Sequence, residues 1–355
     1  MWLAPLFVVP VVNVVLATVL ALVPGDEPRR PPSLLERLVP GSAFGSAVVG
    51  VVLTTALGLA LTVLSTEVLR SYGAALFVAT PFCLGLFSSL IYGARERRDL
   101  GACVAVGTIA VFVASVSLIA VALEGAICIV MALPITLGVG LLGAFVGYLI
   151  QSRGAARPGA QLVSAAVLVL PLLMGSEALQ GREPPLRSVT TQIVVDAPPA
   201  VVWRHVVAVE PLPEKRELVF RLGIAYPTRA VIHGRGVGAV RRCRFSTGDF
   251  VEPITVWDPP RRLEFRVASQ PPPMRELSPW GNIHPPHLDG FLLSTQGRFV
   301  LRRLPGSRTL LLGTSWYENR MWPQTYWAVW SDSLIHRIHL RVLRHVKAVS
   351  EADTS

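Results

Sequence analysis

Charge is missing from long stretches of the first half of this chain. Of 355 residues only 16% are charged while 52% are hydrophobic, and the deficit lies before residue 180. Lysine is almost absent. Lys215 and Lys347 are the two lysines, so arginine carries nearly all of the net charge of +10. Cysteine is scarce as well: Cys83, Cys103, Cys128 and Cys243 show no CxxC spacing. This excludes a zinc ribbon and leaves no disulfide pair in the second half, so the thiols read as small buried hydrophobes. No basic run, zinc spacing or stacking motif accompanies the positive charge, which argues against a nucleic-acid partner.

What fills the uncharged stretches is apolar. A bilayer core of about 30 Å needs about 20 apolar helical residues. Six runs approach or meet that length: 2–22, 44–65, 72–92, 102–122, 125–149 and 160–176. None of them contains an Asp, Glu, Lys, Arg or His. Intramembrane ionisable groups usually mark ion pathways, so their absence argues for anchoring over ion-coupled transport. The first run lacks the basic start of a cleaved signal, since no Lys or Arg precedes Arg29, and it reads as a retained helix. In "GVGLLGAFVG", Gly143 and Gly147 would let two helices approach closely.

Loop charges orient these runs. Arg29, Arg30 and Arg37 lie in the first connection, Arg95, Arg97 and Arg98 in the third, and Arg153 and Arg157 in the fifth. The alternate connections hold only Arg70. By the positive-inside rule the arginine-bearing loops are cytoplasmic. Six complete spans then place the second half on the extracytoplasmic face of a bacterial inner membrane. A re-entrant sixth segment would place it in the cytoplasm.

After a linker, 177–188, the composition becomes that of a soluble domain, 189–350, with a short tail, 351–355. "VTTQIVVDA" reads as a strand, "PPAVVWRHVVAV" as a short helix and "PEKRELVFRLGI" as a second helix ending at Gly223. Six strand-like runs follow, separated by turn signals such as "STGD", "DPPRR" and "LPGS". A long helix from about Thr325 to Ser350 closes the domain.

This order, with "IVVDAPPAVVWRHV" (193–206) and "GVGAVRRCRFSTGDFVEPITVWDPPRRLEFRV" (236–267), resembles the START-like (SRPBCC) superfamily. Within it, the sequence is similar to the family of polyketide cyclases/dehydrases and lipid transport proteins. The resemblance covers about residues 189–350 and none of the membrane half. It implies an α+β helix-grip fold, a curved antiparallel sheet around the terminal helix with an apolar cavity between them. Members bind lipids, sterols or polyketides, and some catalyse cyclisation or hydrolysis. The expected fold class is therefore a polytopic α-helical membrane domain followed by a START-like domain.

Candidate ligand-binding residues follow from strand alternation and from loops. If Phe245 opposes Phe250 across "STGD", Cys243 opposes Glu252 and Arg241 lies on the diagonal. Arg241 and Glu252 would then be charged exceptions on an apolar face, able to orient a polar headgroup or simply to pair with each other. The long interruption 271–290 carries Trp280, His284 and His287, as a lid or a membrane contact. "HPPH" lacks further zinc ligands. Trp316 and Trp327 crowd the junction between the last strand and the final helix. On that helix Trp327, Leu334, Ile335, Ile338, Val342, Val346 and Val349 share a face with Ser331 and His345. Asp332, His336 and His339 gather on a flank, where Asp332 and His336 are one turn apart and suited to a local ion pair.

No nucleophile–base pair, metal set or cofactor motif emerges. The expectation is a membrane-anchored protein that binds or transfers a hydrophobic small molecule or lipid. The alternatives are an enzyme such as a cyclase or hydrolase in the same cavity, or a ligand sensor signalling through the bundle.

Overall fold

The computed structural model describes residues 39–152, 159–181, 183–213 and 217–354. Two compact units emerge: the described part of Met1–Arg182 with Ser278–Pro286, and Glu183–Leu277 with His287–Ser355.

The first unit is a bundle of α1 (Ala43–Val63), α2 (Thr80–Tyr92), α3 (Leu100–Ala120), α4 (Ala126–Ser152) and α5 (Gly159–Gln180). A π turn extends α1 through Leu64–Val68, and another, Ala75–Ala79, leads into α2. Four of these helical stretches are long and apolar enough to cross a membrane: Ala43–Val68, Ala75–Tyr92, Leu100–Ala120 and Ala126–Ser152. The expected 2–22 span lies outside the described residues. The expected 160–176 run is helical, and its described apolar portion, Leu168–Gln180, is shorter than a span.

Capping starts two helices where polar side chains allow it. Ser42 accepts from the Gly45 N–H at 3.1 Å and Asp99 from the Ala102 N–H at 3.0 Å, each satisfying a donor that the first turn leaves open. Leu61, Phe87, Leu90, Ile150 and Met174 pack into one core. At Gly143 an added Cβ would sit 2.0 Å from the Phe82 carbonyl oxygen. Here α4 meets α2 backbone to backbone, an approach that only glycine permits.

The second unit is a seven-stranded antiparallel sheet in the order β1-β7-β6-β5-β4-β3-β2. Its strands are β1 (Arg187–Val195), β2 (Pro227–His233), β3 (Val240–Phe245), β4 (Gly248–Asp258), β5 (Arg262–Arg266), β6 (Leu292–Leu304) and β7 (Arg308–Asn319). Two short helices, α6 (Pro199–Val207) and α7 (Leu218–Arg221), follow β1, and the long α8 (Gln324–Ala352) ends the domain. The sheet curls around α8, giving the helix-grip arrangement. Val202, Val206, Leu263, Leu311, Leu343 and Val346 fill its core at no measurable exposure. Whereas "PEKRELVFRLGI" was expected to be helical, only the four residues Leu218–Arg221 are described as helix.

Candidate ligand-binding face

Alternation along the strands sets the inner face of the sheet. Arg241 and Cys243 on β3, Glu252 and Ile254 on β4, and Leu263 and Phe265 on β5 are all buried. The β3–β4 hairpin closes through Ser246 and Thr247 alone, since Phe245 pairs with Gly248. Cys243 therefore faces Phe250, and Arg241 faces Glu252 directly. The diagonal geometry expected from a four-residue turn is thus corrected by two residues, which keeps the same side chains on the inner face. A bulge between Ile254 and Val256 then resets the alternation, so that Trp257 packs edge-on against Trp203 of α6 at 5.6 Å.

Arg241 Nη1 donates to Glu252 Oε2, and the two side chains are 3% and 7% exposed. The guanidinium carbon lies 5.3 Å from the ring centre of Phe265 and 5.8 Å from that of Phe299, a cation–π arrangement. Burial pushes the Glu252 carboxyl up from its ordinary value, with the Arg241 charge opposing. Burial also pushes the Cys243 thiol up to about 12, which leaves it protonated and a poor nucleophile.

A polar seam joins α8 to β1 and β7. Asp332 accepts from Arg187 Nη2 at 2.8 Å and from the Tyr317 hydroxyl at 2.6 Å. The expected Asp332–His336 ion pair is not what forms, because β1 supplies a stronger partner across the interface. His336 Nδ1 instead bonds the Thr191 hydroxyl at 2.8 Å. His339 lies between Thr191, 3.1 Å from Nδ1, and Ser315, 2.8 Å from Nε2. Burial, with His336 nearby, pulls the His339 imidazole down to about 4.

This seam rotates α8 about its axis. The fully buried positions are Trp327, Ala328, Ser331, Leu343, Val346 and Ser350. Leu334, Ile335, Ile338 and Val342 are only partly covered, as are Phe245, Phe250 and Phe299 on the sheet. The face expected to grip most tightly is therefore split, with its polar flank closing on β1 and β7 while its aliphatic stripe stays half open.

The other anticipated residues are scattered. Trp316 points to the outer face of the sheet, where Arg298 stacks 4.8 Å from its ring. Trp327 is buried, its indole N–H donating to the Trp322 carbonyl at 3.3 Å. Ser331 accepts from Asn319 at 3.0 Å. His345 is half-buried, and burial pulls its imidazole down while Glu210 opposes the shift. His287 is buried 3.3 Å from Glu276, and His284 is exposed. Trp280, in the segment grouped with the bundle, is exposed and donates its indole N–H to the Ala120 carbonyl at the end of α3, at 2.8 Å.

Sequence reasoning missed the Ser315–His339 contact, which needs the β7–α8 packing to appear. It also missed Glu124, which follows α3 in the chain yet is 3% exposed and accepts from the Tyr72 hydroxyl at 2.6 Å.

Residues 187–307 match the family described as "Polyketide cyclase / dehydrase and lipid transport". Among solved structures, the chain is similar to the Zhui aromatase/cyclase from Streptomyces sp. R1128, with 17% identity, 48% of this chain and 97% of that chain covered, and a TM-score of 0.33. It is also similar to norcoclaurine synthase of Thalictrum flavum, with 9% identity, 49% and 99% covered, and a TM-score of 0.32. No curated protein sequence matches the chain. Apart from Ser278–Pro286, the family match lies within the second unit, whose sheet and terminal helix have the helix-grip arrangement. That unit follows a bundle of apolar helices.

Proposed function

We propose that this protein holds a hydrophobic ligand of lipid character between the sheet and α8, and exchanges it with a bilayer in which the bundle is anchored. The observation that carries this reading is the Arg241–Glu252 pair set against aromatic rings on the inner face of the sheet, together with the partly covered aliphatic stripe of α8. Such a surface offers apolar contact with one fixed polar anchor, the usual composition of a small-molecule site. Purification of the full chain in mild detergent, followed by mass spectrometry of what comes with it, tests the proposal. One retained hydrophobic species is expected, and it should be lost in the double variant Arg241→Met/Glu252→Met, which leaves no buried charge unpaired. Retention of nothing beyond bulk lipid would overturn the reading.

The bundle supports an extracytoplasmic domain. Arg95, Arg97 and Arg98 lie at the end where α2 stops and α3 starts, and Gln151 of α4 bonds the Arg98 N–H there. At the opposite end Glu177 of α5 accepts from the Ala75 N–H at 3.2–3.3 Å. The 22 residues of α5 rise about 33 Å as a helix, although its described apolar portion, Leu168–Gln180, is shorter than a span. The chain leaves the bundle at the end away from the arginines, which the positive-inside rule assigns to the outside. An alkaline phosphatase fusion after the bundle should be active, and an inactive fusion would reverse this orientation.

A second reading, an acyl-transfer enzyme, draws on Ser315 and His339. With Thr191 accepting from the Nδ1–H, Nε2 would accept the Ser315 proton, as a nucleophile–base pair requires. An imidazole held at about 4 is a weak base at neutral pH, and Asp332 is committed to Arg187 and Tyr317. Binding is therefore the favoured reading. Covalent labelling by a fluorophosphonate, lost in Ser315→Ala, would reverse that order.

A further inference from the structure

The segment that precedes β2 and the one that follows β5 meet in a short ladder beyond the sheet. Ile224 bridges Met274. The Arg275 N–H donates to the Gly223 carbonyl at 2.9 Å, and the Ala225 N–H to the Pro273 carbonyl at 3.0 Å. Phe220, Ile224 and Met274 are buried. The leucines of the same segments are not: Leu218 is 69% exposed, and Leu222 and Leu277 are 45% exposed. Leu218 and Leu222 are one helical turn apart, joined by the Leu222 N–H and the Leu218 carbonyl. Leu277 follows Arg275 by two residues, which limits their Cα separation to about 7 Å. The outward charge of this tip has one sign. Arg221 and Arg275 are exposed, and neither forms an ion pair among the described residues. The acidic residues of these segments are already engaged, Glu217 with Arg337 at 2.8 Å and Glu276, buried, beside His287.

We propose that this tip docks on an anionic bilayer surface, with its leucines among the upper acyl chains and Arg221 and Arg275 on lipid phosphates. A single exposed leucine needs no explanation. Three together, flanked by unpaired arginines, match the boundary where acyl chains meet headgroups. A guanidinium fits a phosphate with two parallel hydrogen bonds. The occupant is a bilayer because the same chain carries four helices of spanning length, which keep a membrane surface within reach. The inference rests on the anchoring proposed above and not on the identity of any ligand.

The full chain with Leu222→Cys would carry the fluorophore NBD and be reconstituted in phosphatidylcholine vesicles with or without phosphatidylglycerol. The native cysteines are buried, so the added thiol takes the label. In anionic vesicles the emission should shift to the blue and be quenched by nitroxide-bearing lipids. Arg221→Gln/Arg275→Gln should lower the docked-to-free ratio by about 5-fold for each arginine, the effect of one basic side chain near an anionic surface. Leu277→Cys repeats the measurement if Leu222→Cys does not fold. An unquenched label on a chain that floats with the vesicles would overturn the proposal. So would quenching that is equal in neutral lipid and indifferent to the arginine changes. A blue shift without quenching would assign the tip to a protein surface and overturn it too. A chain that fails to float would overturn the anchoring as well, whereas a retained ligand with an unquenched tip would leave the proposed binding standing.

Discussion

Arg241 and Glu252 stand directly opposite each other on neighbouring strands, buried on the inner face of the sheet with two phenylalanine rings against the guanidinium. Removing one partner leaves the other buried without its countercharge. Arg241→Met should therefore cost about 3–5 kcal/mol of stability, as broken buried pairs generally do. The double variant Arg241→Met/Glu252→Met should recover most of that loss. Denaturation of the full chain followed by tryptophan fluorescence reads both, and an equally unstable double variant would show that the pair has structural partners beyond itself.

Acid should loosen the seam between α8 and the sheet. His339 titrates near 4 in the folded protein against an ordinary 6.5. Between those values the unfolded chain binds the proton that the folded one refuses, so stability falls as pH drops from about 6.5 to about 4. At about 1.4 kcal/mol per unit the loss approaches 3 kcal/mol. Stability measured from pH 7 to 4 should show this slope, and His339→Gln should flatten it. An unchanged slope in that variant would assign the acid sensitivity to another group.

Gly297 on β6 should tolerate no side chain. A Cβ there would lie 2.3 Å from the Phe265 ring, which crosses the glycine to reach the Arg241 guanidinium. Gly297→Ala should cost about 1–3 kcal/mol through overpacking, and Phe265→Leu in the same chain should return part of it. Thermal midpoints of the two variants decide whether the ring is what alanine meets.

Much of this arrangement was readable from residue patterns, for identifiable reasons. Apolar runs of span length reveal α1 to α4 because burial in lipid demands continuous hydrophobicity. Alternation with turn residues reveals the seven strands for a similar reason. The pairing of Arg241 with Glu252 was within reach, and the register was missed by two residues because "STGD" does not say that Ser246 and Thr247 alone make the turn. The rotation of α8 was hidden. Periodicity locates the apolar stripe, but Asp332 and His339 find their partners, Arg187, Tyr317, Thr191 and Ser315, far away in sequence. The fold of Glu124 into the bundle was hidden likewise, since nothing local distinguishes it from a loop carboxylate in water.

The two faces of the sheet give the last prediction. Trp316, an anticipated ligand contact, lies on the outer face under Arg298, whereas Ile338 belongs to the partly covered stripe of α8. Trp316→Leu removes a cation–π contact worth about 0.5–1 kcal/mol at an exposed site and should leave ligand retention unchanged. Ile338→Ser removes aliphatic surface from the stripe, where a half-covered position limits the loss of stability. A ligand seated between stripe and sheet should then be retained several-fold less, since each buried methylene contributes about 0.8 kcal/mol. Mass spectrometry of the material that comes with each purified variant compares them directly. Loss of ligand with Trp316→Leu and not with Ile338→Ser would move the binding site to the outer face of the sheet.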